Sequence, residues 1–213
     1  MRTSKPVLVT AIAAALVTAA GMAYAYAQRP SAQDEAGGDA NLRCGTTVCQ
    51  SVIGRGVDGD MVEALTGAGG GRIRVTNSSG AFFIFEMTIA EAGAKVEGDK
   101  ALECATAPSV DVCLVRGTKG ADVLGEALVR RGGVWSRVSA TYLSTGAYLA
   151  LHDVDKDGVV DVVAVQRGCE GKCAFTQVFR VVGDDLGCTP PVDTAEQANR
   201  TPELSQLRPC AEA

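Results

Sequence analysis

Short apolar runs separated by glycine-rich turns dominate the chain from residue 44 onward. Runs of this kind, bounded by Gly, Asn and Ser, are typical of β-strands. The segments 77–80 (NSSG) and 132–133 (GG) each lie between two such runs, and a Gly-Gly pair suits the positive φ angles of a two-residue hairpin turn. Helical periodicity is confined to residues 194–206, where Pro202 interrupts it. The pattern predicts an all-β domain, a small antiparallel β-sandwich or a barrel-like domain.

Seven stretches of the chain carry this strand pattern. Two of them, residues 71–89 and 125–140, each contain two strands around a turn. The others are single strands, the last one followed by a turn: residues 101–105, 111–118, 147–154, 159–167 and 175–188.

The first 27 residues have the features of a targeting segment. Two basic residues, Arg2 and Lys5, precede an apolar run, and the small residues Ala25 and Ala27 offer a signal-peptidase site. The alternative is an uncleaved membrane anchor, because residues 7–27 are 21 consecutive uncharged residues, enough to cross a bilayer. With either outcome the rest of the chain lies outside the cytoplasm, secreted or on the extracytoplasmic face of the membrane.

The remaining chain divides into three parts. Residues 28–43 are polar and rich in Gly, Ala and acidic residues, which predicts a flexible linker. Residues 44–190 form the predicted β domain, and residues 191–213 form a C-terminal tail tied by a disulfide.

Eight cysteines follow the targeting segment, and an even number in an exported chain predicts four disulfides. Sequence alone does not select one of the 105 pairings, but the cysteines arrive as close sequential pairs, so nearest-neighbour pairing is the economical prediction. The cysteines are Cys44, Cys49, Cys104, Cys113, Cys169, Cys173, Cys188 and Cys210.

Charge narrows the range of partners. Without Arg2 and Lys5 the chain keeps 18 basic residues (20 minus 2) against 25 acidic ones, a net charge of −7. This balance argues against nucleic acid, which attracts a basic face, and against electrostatic binding to anionic membrane surfaces. We expect a monomer whose partner is an extracellular or cell-envelope ligand, with the N-terminal segment as a further means of membrane attachment.

Four aspartates crowd into residues 153–161, directly beside an apolar strand. Counted from Asp153, acidic residues occupy positions 1, 3, 5 and 9, and Gly158 at position 6 permits a sharp turn. Calcium takes six to eight oxygen ligands, and this spacing predicts side-chain ligands at four positions and a backbone carbonyl at position 7. The predicted ligands are Asp153, Asp155, Asp157, Val159 (carbonyl) and Asp161.

The loop resembles two known calcium-binding patterns. Its start matches an EF-hand loop, but position 12 is Ala164 where an EF-hand needs Glu, and the flanks are strands. The sequence YLALHDVDKDGVVDVVAVQ is more similar to the calcium loop of FG-GAP and VCBS repeats in β-propeller proteins such as integrin α chains. That resemblance covers residues 124–187, implies one propeller-like blade with a calcium-binding hairpin, and implies the same ligand set.

The whole chain also resembles a set of uncharacterised exported proteins of actinobacterial type. The shared features are an early C-G-T-x-x-C at residues 44–49, the D-V-D-x-D-G loop and a late G-C-T-P at residues 187–190. This resemblance implies export and brings no known activity.

Catalytic motifs are scarce in this sequence. His152 is the only histidine, and a packing role beside the loop competes with a role in a catalytic triad. The single tryptophan, Trp135, follows a hairpin turn and is predicted to lie in the core. The leading hypothesis is an exported, calcium-stabilised, disulfide-bonded β domain that acts as a non-enzymatic binding or cell-envelope protein. The alternatives are a secreted hydrolase using acidic residues and the extracytoplasmic domain of a membrane-anchored sensor.

Overall fold

A computed structural model of the chain describes residues 42–181, 185–198 and 201–210. The predicted signal peptide or anchor at residues 1–27 and nearly all of the predicted linker at residues 28–43 lie outside these ranges. Within them, no helix has both the length and the apolar character needed to cross a bilayer.

Antiparallel strands account for most of the described residues. The strands are β1 (Arg43–Cys44), β2 (Thr47–Val48), β3 (Gln50–Val57), β4 (Asp60–Gly67), β5 (Gly70–Thr76), β6 (Phe82–Glu86), β7 (Leu102–Ala105), β8 (Asp111–Lys119), β9 (Asp122–Arg131), β10 (Val134–Ser144), β11 (Leu149–His152), β12 (Asp161–Gly168), β13 (Cys173–Arg180) and β14 (Asp185–Cys188). The short helices are α1 (Thr88–Glu91) and α2 (Ala195–Ala198), with 3-10 turns at Cys169–Gly171 and Leu204–Gln206.

The strands form three four-stranded sheets and one small two-stranded sheet of β1 and β2. Sheet 1 contains β3 to β6, sheet 2 contains β7 to β10 and sheet 3 contains β11 to β14, and in each the strands follow one another in chain order. The predicted all-β, disulfide-rich class is confirmed, and the described residues form no barrel. The hairpin at Gly132 and Gly133 has the expected positive φ angles, 55° and 80°.

Strands β3 and β4 lie outside the stretches that carry the strand pattern. Gly54, Gly56 and the charged Arg55 interrupt the apolar alternation of β3. A Cβ at position 54 would lie 3.2 Å from Cγ of Glu63 and 3.3 Å from Sδ of Met61, so a larger residue there would require these two side chains to shift. The strand forms through its pairing with β4 and not through its own β propensity.

Sheet 2 lies between the other two sheets. On one face its residues Val115 and Leu128 pack with Val62 of sheet 1, and Trp135, which is 8% exposed, belongs to the same cluster. On the other face Leu114 packs with Val162 of sheet 3. Consecutive residues of a strand point to opposite faces, so β8 is buried on both sides.

The C-terminal tail covers the outer face of sheet 3. Leu207 packs with Val163 and Val178, and the Thr176 hydroxyl donates to the backbone oxygen of Ala198 at 2.6 Å. These contacts bury a sheet face that no other sheet covers among the described residues.

Disulfides fasten local turns and the tail. The bonded pairs are the nearest-neighbour pairs: Cys44–Cys49, Cys104–Cys113, Cys169–Cys173 and Cys188–Cys210. Four disulfides in one small domain are typical of proteins that fold in an oxidising compartment.

Candidate metal centre

The aspartate loop joins β11 to β12 at the end of a hairpin. His152 pairs with Asp161 at the last step of the ladder, so the chain leaves β11 at Asp153 and returns to β12 at Asp161. Positive φ angles of 60° at Lys156 and 86° at Gly158 turn the backbone between these points. Gly158 is the glycine that the sequence pattern assigned to this turn.

Three of the predicted ligands converge. Asp153, Asp155 and Asp161 each offer an oxygen within 4.8 Å of the others. Two oxygens that bind one metal ion at 2.3–2.6 Å can be no more than about 4.6–5.2 Å apart, so the spacing of this triad allows a shared metal ion. Asp161 is buried, Asp155 is half-buried and Asp153 is exposed, so the three carboxylates can hold a metal ion at the surface end of the hairpin.

Backbone donors orient the carboxylates of the triad. The N–H of Val154 donates to Oδ2 of Asp161 at 3.1 Å, and the N–H of Gly158 donates to Oδ2 of Asp153 at 3.2 Å. Each bond fixes a side-chain rotamer and leaves further lone pairs of the carboxylate for another partner. These hydrogen bonds orient the carboxylates of Asp153 and Asp161 within the loop.

The remaining predicted ligands are Asp157 and the carbonyl of Val159. Oδ1 of Asp157 accepts a hydrogen bond from the N–H of Val159 at 2.7 Å, and Asp157 is not part of the converging triad. The carbonyl of Val159 as a ligand stays a prediction.

Burial and crowding destabilise the ionised loop. Burial, and secondarily the charges of Asp155, Asp157 and Asp153, raise the pKa of Asp161 from 3.8 to about 6, against the opposing effect of the Val154 hydrogen bond. Arg180 offsets the negative charge of Asp155, because its Nη2 lies 3.3 Å from Oδ2 of that carboxylate.

His152 is occupied at both ring nitrogens. Its Nε2 lies 2.7 Å from the Tyr148 hydroxyl and its Nδ1 lies 3.1 Å from Oγ1 of Thr201. The Tyr148 ring also stacks on the imidazole, with centroids 6.3 Å apart. This arrangement agrees with a packing role, in which His152 links the hairpin to the tail.

A second polar cluster was missed by sequence reasoning. Nη1 of Arg130 lies 2.6 Å from Oδ2 of Asp58 and 3.0 Å from Oδ2 of Asp111. The Trp135 indole donates to Oδ2 of Asp60 at 2.8 Å. The cluster joins the β3–β4 turn of sheet 1 to sheet 2, and it borders an open polar cleft of about 700 Å³. Residues this far apart in the chain leave no local sequence signal.

Comparison of the chain with protein-family models, with curated proteins and with solved structures found no match.

Proposed function

We propose that this chain is an exported, disulfide-bonded β domain in which the loop from Asp153 to Asp161 binds a calcium ion that stabilises the fold. In this proposal the protein is a non-enzymatic binding or cell-envelope protein. The observation that carries it is the convergence of Asp153, Asp155 and Asp161 within 4.8 Å.

Calcium fits these donors better than other common metals. The triad offers oxygen alone, whereas zinc and copper sites use histidine or cysteine. His152, the only histidine of the chain, already has partners at both nitrogens. Magnesium demands near-ideal octahedral geometry, whereas calcium accepts irregular shells completed by carbonyls and water. The resemblance of the loop to FG-GAP and VCBS repeats supports the same choice, as does its place between two antiparallel strands of a four-stranded sheet.

Export is supported by two independent features. Four disulfides favour an oxidising compartment. The basic, apolar and small-residue order of residues 1–27 is typical of a signal peptide or an N-terminal anchor. N-terminal sequencing of the native protein separates these outcomes, because a membrane-anchored sensor domain would retain residues 1–27.

The hydrolase alternative finds less support. The polar cleft away from the loop contains the carboxylates of Asp58 and Asp111, but both accept hydrogen bonds from the same nitrogen of Arg130. A glycosidase needs two carboxyl groups that are free to contact the scissile bond and the attacking water, whereas these two are held together by one guanidinium nitrogen. The geometry therefore favours a structural role for this pair.

The test of the proposal is metal removal. Extracellular calcium modules bind with Kd of about 10⁻⁴–10⁻³ M, so about 10 mM calcium should stabilise the folded chain by roughly 1.4–2.7 kcal/mol. For a domain of this size we expect a rise in Tm of about 3–10 °C over the chelator-treated protein. Magnesium at the same concentration should give a smaller shift, and metal analysis should find one calcium per chain.

The matched variants are Asp153→Asn in the triad and Asp193→Asn on an exposed turn. Asp153→Asn should lose most of the calcium response, and Asp193→Asn should keep it. A wild-type protein that melts at the same temperature in chelator and in calcium would refute the metal assignment.

A further inference from the structure

A second cleft opens between sheet 2 and sheet 3 along their outer edges. Its origin is an irregularity in β10, where Arg137 pairs with Leu128 but Thr141 pairs with Glu126. Four steps along β10 thus correspond to two steps along β9, and residues 138–140 bulge out of the ladder. Bulges commonly lie beside functional sites, where they redirect side chains.

The floor of this cleft is apolar and rigid. The rings of Tyr142 and Phe179 meet edge to face with centroids 5.5 Å apart. The Tyr142 hydroxyl donates to the backbone oxygen of Val181 at 3.2 Å, which ties sheet 2 to sheet 3 below the opening. The cleft measures about 470 Å³, within the roughly 300–1,000 Å³ typical of small-molecule sites.

The rim is basic in a chain whose net charge is −5. Three arginines and one acidic residue, Asp185, line the opening. Arg180 is paired with Asp155, and Arg137 donates from Nη1 to the backbone oxygen of Glu86 at 3.3 Å.

Arg131 differs from the other two arginines of the rim. Within residues 42–181, 185–198 and 201–210, its exposed side chain has no hydrogen-bond or ion-pair partner. It follows Val129 by two positions on β9, and Val129 faces sheet 3, so Arg131 lies on the same face of its strand. A guanidinium offers five donors in a fork that matches the oxygens of carboxylate, sulfonate and phosphate groups.

We propose that this cleft binds a small organic anion, with its charged group on Arg131 and its apolar body against Tyr142 and Phe179. The site rests on the proposed binding role and supplies a ligand class for it. Arg180 on the rim is paired with Asp155 of the triad. Arg131, Tyr142 and Phe179, however, are not members of the triad, so the Arg131 variant and metal removal test the two assignments separately.

The probe is 8-anilinonaphthalene-1-sulfonate, which combines an aromatic body with one anionic group. Fluorescence titration of the folded protein should show saturable binding with one site per chain. The neutral analogue N-phenyl-1-naphthylamine should bind at least about tenfold more weakly, since a hydrogen bond to a charged group contributes that much or more.

Two arginine variants separate this site from general surface charge. Arg131→Gln should weaken binding of the sulfonate at least about tenfold. Arg167→Gln removes the same charge from an exposed position that does not line the cleft, and it should bind as wild type does. Equal losses in the two variants, or equal affinity for the neutral analogue, would overturn the proposal.

A third variant tests the cavity itself. Ser139→Trp places a large side chain on the exposed bulge that lines the cleft, and it should abolish binding while thermal melting shows that the protein is still folded. A folded Ser139→Trp protein with wild-type affinity would also overturn the proposal. The titrations are made in calcium and in chelator, well below the Tm of the metal-free protein, and the dependence on Arg131 should hold in both.

Discussion

Replacing Asp161 by asparagine should stabilise the metal-free protein and remove most of the stabilisation by calcium. Asp161 is the buried member of the triad, and burial with neighbouring carboxylates raises its pKa from 3.8 to about 6. Ionised Asp161 therefore destabilises the metal-free fold. Asparagine removes the charge and keeps a carbonyl oxygen that can accept the hydrogen bond from Val154.

The size of this stability change follows from the difference between the pKa of Asp161 in the folded protein and its ordinary value. A rise of about two pKa units corresponds to roughly 3 kcal/mol at 1.36 kcal/mol per unit. Because the loop lies at the surface, solvent screening reduces this to about 1–2 kcal/mol. In chelator above pH 6 we expect the Asp161→Asn protein to melt about 2–8 °C higher than wild type.

The raised pKa of Asp161 also determines how the stability difference between wild type and Asp161→Asn changes with pH. The folded pKa of Asp161 is higher than the unfolded value, so wild type loses stability relative to Asp161→Asn as pH rises from about 4 to about 6. Below about pH 4 the two proteins should melt alike in chelator. In calcium at neutral pH wild type should gain stability and Asp161→Asn should not, so the advantage of the variant should shrink or reverse.

The assay is thermal unfolding followed by far-UV circular dichroism, at pH values from 4 to 8, in chelator and in calcium. Asp193→Asn is the control for loss of one surface carboxylate. The assignment of Asp161 as a ligand under charge repulsion would be refuted if Asp161→Asn were less stable than wild type in chelator. It would also be refuted if calcium stabilised the two proteins equally.

Two further predictions concern parts of the fold distant from the loop. Burial raises the pKa of Glu126, so Glu126→Gln should gain stability relative to wild type as pH rises above about 4.5, and thermal melts that show the opposite trend would contradict this. Loop entropy predicts that replacing Cys188 and Cys210 by serine lowers the free energy of unfolding by about 3 kcal/mol, because their separation is 22 residues. The same change at Cys169 and Cys173, separated by 4, should lower it by about 2 kcal/mol, and urea titrations that reverse this order would show that chain entropy does not dominate.

The aspartate loop could be predicted from sequence because its information is local. The spacing of Asp153, Asp155 and Asp161 within nine residues already implies a tight turn, and the apolar runs on both sides predict its strands. Asp157 fits the same spacing, yet its carboxylate accepts a hydrogen bond from the N–H of Val159. Aspartate side chains in turns compete for nearby backbone donors, and spacing alone does not show which partner they take.

The stacking of the sheets could not be predicted in the same way. Leu114 and Val115 are both fully buried but belong to different clusters, one facing sheet 3 and the other facing sheet 1. A continuous apolar run shows that both faces of a strand are covered and does not identify what covers each face. The ion pair between Asp58 and Arg130 joins residues 72 positions apart, so it exists only once the sheets are assembled.

The disulfide of the C-terminal tail and the candidate metal loop both lie on sheet 3. Sheet 2 is covered on both faces by other sheets, whereas the outer face of sheet 3 depends on the short tail, through Leu207 and Ala198. The disulfide at Cys188 holds that tail in place. The aspartate loop closes the β11–β12 hairpin of the same sheet, and His152 at its base contacts Thr201 of the tail. A metal ion in the loop would therefore stabilise the same sheet whose outer face is covered by the disulfide-bonded tail.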